Sequence, residues 1–525
     1  MAAIEGEYDV CVVGAGPAGL ACAFACHARA MRVLVLEAGG ARRSPGGAVL
    51  DAEIANPLRH DPIDDVMCAG LGGTSLAWSG RALPFDAIDF RDWPISYEEL
   101  APHYRAAADF LGCHDALSPP APGAFAHLER FDASTAESFC AEPDLPRRLR
   151  ASLNGASGPV IALNARVARL RVENGIVAAL EVRIGGKVRS VRATRTVIAC
   201  GGLSSLRLLL LAQRETPSLF GGEGGPLGRG YMGHLTGAVA DMVLANQRDV
   251  DAFRAQPVGD VLTRRQIRPR DQTIARENIG NIGFWLEAPS IDDASHGSAA
   301  ASAKYLIARA IQRPVKATRY GVAPSLAPHF ANVARKPSDA LTGLARGAVA
   351  AALRDSPRGA PAPLTSAGDG GWRLAYHAEQ SNEPNNRVSL GATRDRFGDP
   401  RLKIEFDFSD RDISSVVHAH DLLDADLRAA GAGHLRWIGS RAETEDRIRD
   451  AARDGYHQLG GAIMGDDPRT SVVDKDCRAH GVANLWVASS CVFPTSSRAN
   501  PTLTIVALAH RIAETLLSVQ LNIPV

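Results

Sequence analysis

The chain has 525 residues, 46% hydrophobic and 22% charged, an ordinary globular composition with room for two or three domains. Its 58 basic residues balance 58 acidic ones and no basic–aromatic interleaving runs along it, which excludes a general nucleic-acid binder. Nine cysteines lie scattered without a CxxC pair, and MAAIEGEYDV lacks the basic region and apolar core of a secretory signal, so a reducing, cytoplasmic setting is expected.

Tyr8–Val13 is a short apolar, partly β-branched run that reads as a buried strand. The sequence Gly14-Ala15-Gly16-Pro17-Ala18-Gly19 follows it, then an alanine-rich helix to about Ala30, then a second apolar strand in MRVLVLEAGG. This is the first β–turn–α–β unit of a doubly wound sheet. Gly14 permits the turn, Gly16 lets backbone approach a pyrophosphate, and Gly19 lets helix pack on strand. The free N–H groups at the helix start, around Pro17 and Ala18, suit an anion. Glu37, followed by Ala38, ends the second strand 18 residues after Gly19, placed to accept from ribose hydroxyls of an unphosphorylated adenosine. Strand, glycines, helix, strand and acid in this order mark a dinucleotide site, but do not separate FAD from NAD.

Residues 166–198 alternate apolar and polar with turn signals at Asn174-Gly175 and Gly185-Gly186, which predicts antiparallel strands, with TVIACGG as a return strand and LSSLRLLLLAQ as a helix. Residues 290–365 are alanine-rich helical segments broken by prolines, a solvent-flanked insertion, and 356–371 is a Gly/Pro-rich loop. Strand-like alternation returns over 372–410, and NLWVASS is a last apolar strand. In RANPTLTIVALAHRIAETLL, Asn500 is a helix cap and Pro501 the first helical residue. Its apolar body is cut by His510, Arg511 and Glu514, too short for the ~20 residues a membrane span needs.

Three further blocks carry a family resemblance: GLGGTSLAWSG with DFRDWPISYEELAPHY, GPLGRGYMGHLTG, and the C-terminal run from YHQLGGAIMG through VVDKDCRAHGVANLWVASSCVFPT to RANPTLTI. In this order they resemble the glucose–methanol–choline (GMC) oxidoreductases, FAD enzymes that oxidise alcohols. The NEPNNRVSLG and DRFGDP stretch is similar to the pyranose oxidase and sugar dehydrogenase flavoprotein branch. The resemblance implies an α/β fold: a Rossmann-like FAD-binding domain (5–75, 155–240 and 455–525) with an interleaved α+β substrate domain of antiparallel sheet and helices (76–154 and 241–454). It places FAD along Gly14–Gly19 and Glu37, the isoalloxazine near Gly72, Gly73, Thr74 and Ser75, the adenine by Val167 and the pyrophosphate near Gly201. The histidine that attaches FAD covalently in some pyranose oxidases falls on Ala77, so noncovalent FAD is expected.

By motif, the family's catalytic pair falls on His457 and Asn500. Alcohol oxidation removes a hydroxyl proton and a hydride; imidazole can take the proton near neutral pH, and an amide can orient the same oxygen. The helix start at Pro501 and Thr502 would face the flavin and stabilise negative charge on its pyrimidine. A small-molecule alcohol (a sugar, glycoside or cyclic polyol) and O₂ or another electron acceptor are the implied partners. A lyase on the same FAD scaffold, with His457 as base, is the alternative; bleaching of the flavin by an alcohol separates the two.

Other residues have plainer readings. His418 and His420 lie two apart on one helix and do not share a face. His234 fits a structural or flavin-side role. Gln380 and Glu383 fit either substrate contact or a surface loop, Trp78 fits packing near the flavin, and Ser204-Ser205 fits a helix cap. No compact His/Cys/Asp set has zinc spacing, so no metal is expected, and no GxSxG elbow supports a hydrolase.

Overall fold

A computed structural model describes residues 4–113, 125, 127–154, 158–288, 290–311, 325–353, 364 and 371–518. Its first sheet is parallel and five-stranded, in the order Leu485–Val487, Ala193–Ile198, Tyr8–Val13, Val33–Leu36, Val160–Ala162. Val12 is the centre of the register, paired with Val197 on one side and Val35 on the other. Strands covered on both faces need continuous apolar sequence, which VCVV and VLVL supply. Helix Pro17–His27 crosses between the first two sequential strands and ends three residues before Ala30, whose φ is +61°.

The meander expected over 166–198 forms with three strands, Arg166–Glu173, Ile176–Ile184 and Lys187–Val191, all antiparallel. Asn174-Gly175 and Gly185-Gly186 turn it with positive φ throughout, the twist that tight hairpins need. The fourth run, Ala193–Ile198, leaves the meander and enters the parallel sheet beside Tyr8–Val13.

The second sheet is antiparallel and eight-stranded, running Gly433–Trp437, His234–Leu244, Trp372–Glu379, Ile282–Glu287, Val261–Pro269, Phe131–Phe139, Arg81–Ala82, with Gln256–Val258 paired to Val261–Pro269. A division at residue 240 therefore cuts through a strand: His234–Leu244 pairs on both sides within this sheet. Its register sets Thr236 and Gly283 on either side of His377. Helix Asp410–Ala429 starts with a Ser409–Asp412 capping box and separates its histidines as spacing implied, His418 outward and His420 buried.

The insertion contains helices Ala299–Ala310, Leu326–Arg335 and Pro337–Leu353. The loop expected over 356–371 lies outside the described residues except for Leu364 and Gly371. The last helix, Thr502–Ser518, packs against Pro17–His27 and against Tyr97–Leu111. Its first backbone bond runs from Ile505 N–H to the Pro501 carbonyl at 2.9 Å, so Pro501 takes the cap position and Thr502 the first helical one. All nine cysteines are unpaired. Among the described residues no helix is long and apolar enough to cross a membrane.

Candidate active site

A continuous cavity of about 1700 Å³ runs between the two sheets. Three helix N-termini open onto it, at Pro17-Ala18, Gly201-Gly202 and Pro501-Thr502. Each presents first-turn N–H groups and the positive end of its dipole, a setting for a diphosphate or for negative charge on a ring. Gly16 and Gly201 leave bare backbone there, since a Cβ on either would meet no atom within 4 Å. Gly19 does the opposite: a Cβ would lie 1.9 Å from the Gly14 carbonyl oxygen.

Glu37 is buried and holds the loops around the cavity. Its Oε2 accepts from Ala15 N–H at 2.8 Å, and Oε1 from Gly39 and Gly70 N–H at 2.8 and 3.1 Å. The carboxylate expected to await a ribose therefore already ties three backbone segments together, and a ribose hydroxyl would add to these bonds. On the Val167 side, the guanidinium groups of Arg166 and Arg207 line the cavity and converge on the Asp399 carboxylate.

At the other end stands His457. Its Nδ1 lies 2.9 Å from Asp454 Oδ2. A carboxylate only accepts, so Nδ1 carries the proton and Nε2 keeps a lone pair. Asp454 is itself fixed: Oδ2 accepts from His234 N–H at 2.8 Å, and Oδ1 from Gly455 and Tyr456 N–H at 2.7 and 2.9 Å. Two more imidazoles crowd His457, with ring centroids at 4.5 Å for His234 and 5.2 Å for His377. His234 Nε2 donates to the Ser496 carbonyl at 3.0 Å and His377 Nδ1 to the Arg498 carbonyl at 2.6 Å. Burial and then the neighbouring His457 hold His234 down to about 3; burial, His234 and His457 hold His377 well below its ordinary value. Both are neutral at physiological pH, and His457 is the one partly exposed imidazole of the three.

One ring nitrogen from each of His234, His377 and His457 lies within 4.8 Å of the others, a set that could hold a metal ion. Their separation in sequence hid this cluster, which only the fold assembles; the expectation of no metal concerned zinc spacing along the chain. Such an ion would engage the His457 imidazole that borders the cavity.

Beneath the Ser496–Arg498 carbonyls is a buried ionic layer. Arg498 Nε donates to Asp86 Oδ2 at 2.7 Å, and Ser497 Oγ to Asp89 Oδ2 at 2.6 Å. Burial, then Asp86 and Glu379, push the Asp89 carboxyl up to about 7. This layer fixes the backbone segment that leads into Asn500.

The cavity collects Gly14, Gly16, Pro17, Ala18, Glu37, Ala38, Gly73, Thr74, Ser75, Val167, Gly201, His457, Asn500, Pro501 and Thr502. Ala77 and Trp78 line it too, the indole N–H tied to the Pro143 carbonyl at 2.6 Å. Two expected contacts sit behind the wall. Gly19 packs helix on strand, and Gly72 (φ +96°) donates its N–H to the Ala15 carbonyl at 2.8 Å, with Pro146 against its Cα. Gln380 is structural, accepting from Gly233 N–H at 2.6 Å and donating to the Asp407 carbonyl at 2.8 Å. Ser204 and Ser205 are not caps: Gly201 is the cap residue, and Gln458 Oε1 accepts the Leu203 N–H at 3.1 Å instead. Sequence reasoning missed Asp454, His377, Arg81 and Trp285, of which the last three line the cavity. Only Asp454 had a local signal, an acid three residues before the motif histidine.

A dinucleotide cradle joined to an oriented imidazole is built for hydride chemistry, and the chain is an FAD-dependent oxidoreductase. Residues 382–509 match the GMC oxidoreductase C-terminal model, and 12–62 match an NAD(P)-binding Rossmann-like domain. Paromamine 6'-oxidase of Streptomyces fradiae is 25% identical over 97% of this chain and 91% of its own length. The 2-methyl-1,2-propanediol dehydrogenase of Mycolicibacterium austroafricanum is 21% identical over 96% and 94%. Pyridoxine 4-oxidase from Mesorbium loti shares the fold, with a TM-score of 0.55 and 17% identity over 98% of this chain and 100% of that one. Over residues 382–509 the chain is thus similar to the GMC oxidoreductases.

Proposed function

We propose that the chain oxidises a hydroxyl group of a sugar, glycoside or cyclic polyol to a carbonyl. The observation that carries this reading is the Asp454–His457 contact, which fixes the basic lone pair on His457 Nε2 beside the cavity. His457 Nε2 takes the hydroxyl proton, a role worth roughly 10²–10⁴-fold in rate. Asn500 hydrogen-bonds the same oxygen and sets the C–H direction, and the helix start at Pro501-Thr502 stabilises negative charge on the neighbouring ring. FAD, when bound, supplies the hydride acceptor. Ala77 offers no nucleophile at the position of covalent attachment, which supports a noncovalent cofactor. The parallel sheet and meander form the cofactor domain and the antiparallel sheet the substrate domain, with their boundary before His234.

A sugar-like substrate is supported by the relatives, among them paromamine 6'-oxidase and the fructose dehydrogenase large subunit of Gluconobacter japonicus. The test is anaerobic mixing of the flavin-loaded protein with sugars, aminoglycosides and polyols, followed by flavin absorbance. One class should bleach the flavin, and His457→Ala should abolish bleaching while retaining FAD. Flavin that no alcohol reduces would reject the reading. Reoxidation by O₂, against an artificial acceptor, then separates oxidase from dehydrogenase.

A further inference from the structure

Helix Leu326–Arg335 is amphipathic in the reverse sense. It buries His329 and Asn332 and exposes Leu326 and Phe330, at 42% and 59%. The buried residues are fully engaged: His329 bonds Ser302 Oγ and the Asp292 carbonyl at 3.1 Å each, and Asn332 Nδ2 donates to the Ala294 carbonyl at 2.8 Å. The polar side is therefore seated and the apolar side faces outward by construction. Helix Ala299–Ala310 and the residue after it expose Ile307 and Ile311, and the third helix exposes Leu341 at 70%. Five of the eleven large apolar side chains exposed among the described residues fall in this one insertion. Scattered surface leucines need no explanation, but a concentration of this kind marks an interaction surface.

Charge says what covers it. Residues 299–353 carry eight lysines and arginines against one acid, Asp339, within a chain whose net charge is zero. Lys304, Arg309, Arg335 and Lys336 are exposed and make no ion pair among the described residues. Two copies meeting through this face would bring like charges together, which disfavours self-association. Outward leucine, isoleucine and phenylalanine at helical spacing, flanked by lysine and arginine, match a helix lying in the interface of an anionic bilayer.

We propose that the three-helix insertion is a peripheral membrane-binding surface for anionic lipid. Leu326, Phe330, Ile307, Ile311 and Leu341 enter the headgroup–acyl boundary, and Lys304, Arg309, Arg335 and Lys336 meet lipid phosphates. Nothing in it depends on the substrate or on His457.

The test is co-sedimentation of the full-length, flavin-loaded protein with phosphatidylcholine vesicles, with and without phosphatidylglycerol. Sedimentation should require the anionic lipid and fall in high salt. Arg335→Glu with Lys336→Glu should weaken it roughly tenfold or more. Leu326→Ser with Phe330→Ser should abolish it, with flavin content and thermal midpoint unchanged because both side chains are exposed. Three results would each overturn the proposal: no sedimentation with anionic vesicles at low salt, undiminished binding by the Leu326/Phe330 double variant, or a dimer in solution that this variant converts to monomer.

Discussion

Asp454 grips His457 by its Nδ1–H at 2.9 Å while four backbone or ring N–H groups in all converge on that one buried carboxylate. The contact selects the tautomer with its lone pair on Nε2 and stops the ring from turning. It also ties the loop 454–457 to the start of strand His234–Leu244, linking the imidazole to the antiparallel sheet.

Asp454→Asn should therefore lower kcat by roughly 10–100-fold, the usual loss when an orienting partner of a catalytic imidazole is removed. Steady-state kinetics should show little change in KM, and absorbance little change in bound FAD. Equal losses in kcat and in flavin content would mean that the carboxylate only holds the fold.

The histidine cluster predicts inhibition by zinc. Tetrahedral zinc bonds of 2.0–2.1 Å put ligand nitrogens roughly 3.3 Å apart, against up to 4.8 Å here. A pair standing near that limit must close by more than an ångström, so an ion should bind weakly and compete with substrate for the His457 imidazole. Added Zn²⁺ should inhibit, EDTA should restore activity, and His377→Gln should raise the inhibitory concentration about tenfold or more. Full activity at millimolar-range zinc would exclude the closure.

Acid should destabilise the protein through its buried neutral histidines. Burial lowers His420 to about 4 and His234 to about 3, against an ordinary 6.5. A depressed histidine gives stability that is present above the unfolded value and lost as pH falls towards the folded one, because the unfolded chain takes up the proton first. Each contributes a slope of up to ~1.4 kcal/mol per pH unit over that window. Asp89, raised to about 7, acts with the opposite sign and loses stability as pH rises from the ordinary carboxylate range to that value. Thermal melts should show a midpoint that drops below pH ~6.5, and His420→Leu should flatten the drop.

Two glycines of one motif should fail differently. Gly16→Ala puts a methyl into the cavity, at a φ of −77° that alanine accepts, so apoprotein stability should hold while FAD affinity falls about tenfold or more. Gly19→Ala drives a methyl into the Gly14 carbonyl and should cost at least ~1–3 kcal/mol of stability. Thermal melts of flavin-stripped protein, beside flavin titrations, distinguish the two. Equal destabilisation by both would refute the division.

The cofactor cradle was legible because it is local. Gly14, Gly16 and Gly19 act over one turn and the following helix, and the motif blocks fix His457 and Asn500 by order along the chain. The rest arises from register. His377 reaches His457 only because Trp372–Glu379 pairs with His234–Leu244 at a set offset, and a shift of one residue would turn it to the other face. No alternation within RLAYHAEQ records that offset. Glu37 shows the converse: its position was readable, but the three N–H groups around it come from segments that only the fold assembles.

The order of the parallel sheet bears on how the protein is made. Tyr8–Val13 has one neighbour, Val33–Leu36, close behind it in sequence, yet its other neighbour, Ala193–Ile198, and the edge strand Leu485–Val487 lie far downstream. Helix Thr502–Ser518, which packs on Pro17–His27 and opens onto the cofactor cavity, is translated later still. The complete cavity can therefore form only after those downstream elements are made, and until then the apolar Tyr8–Leu36 unit lacks most of its partners, a time when chaperones have reason to hold it.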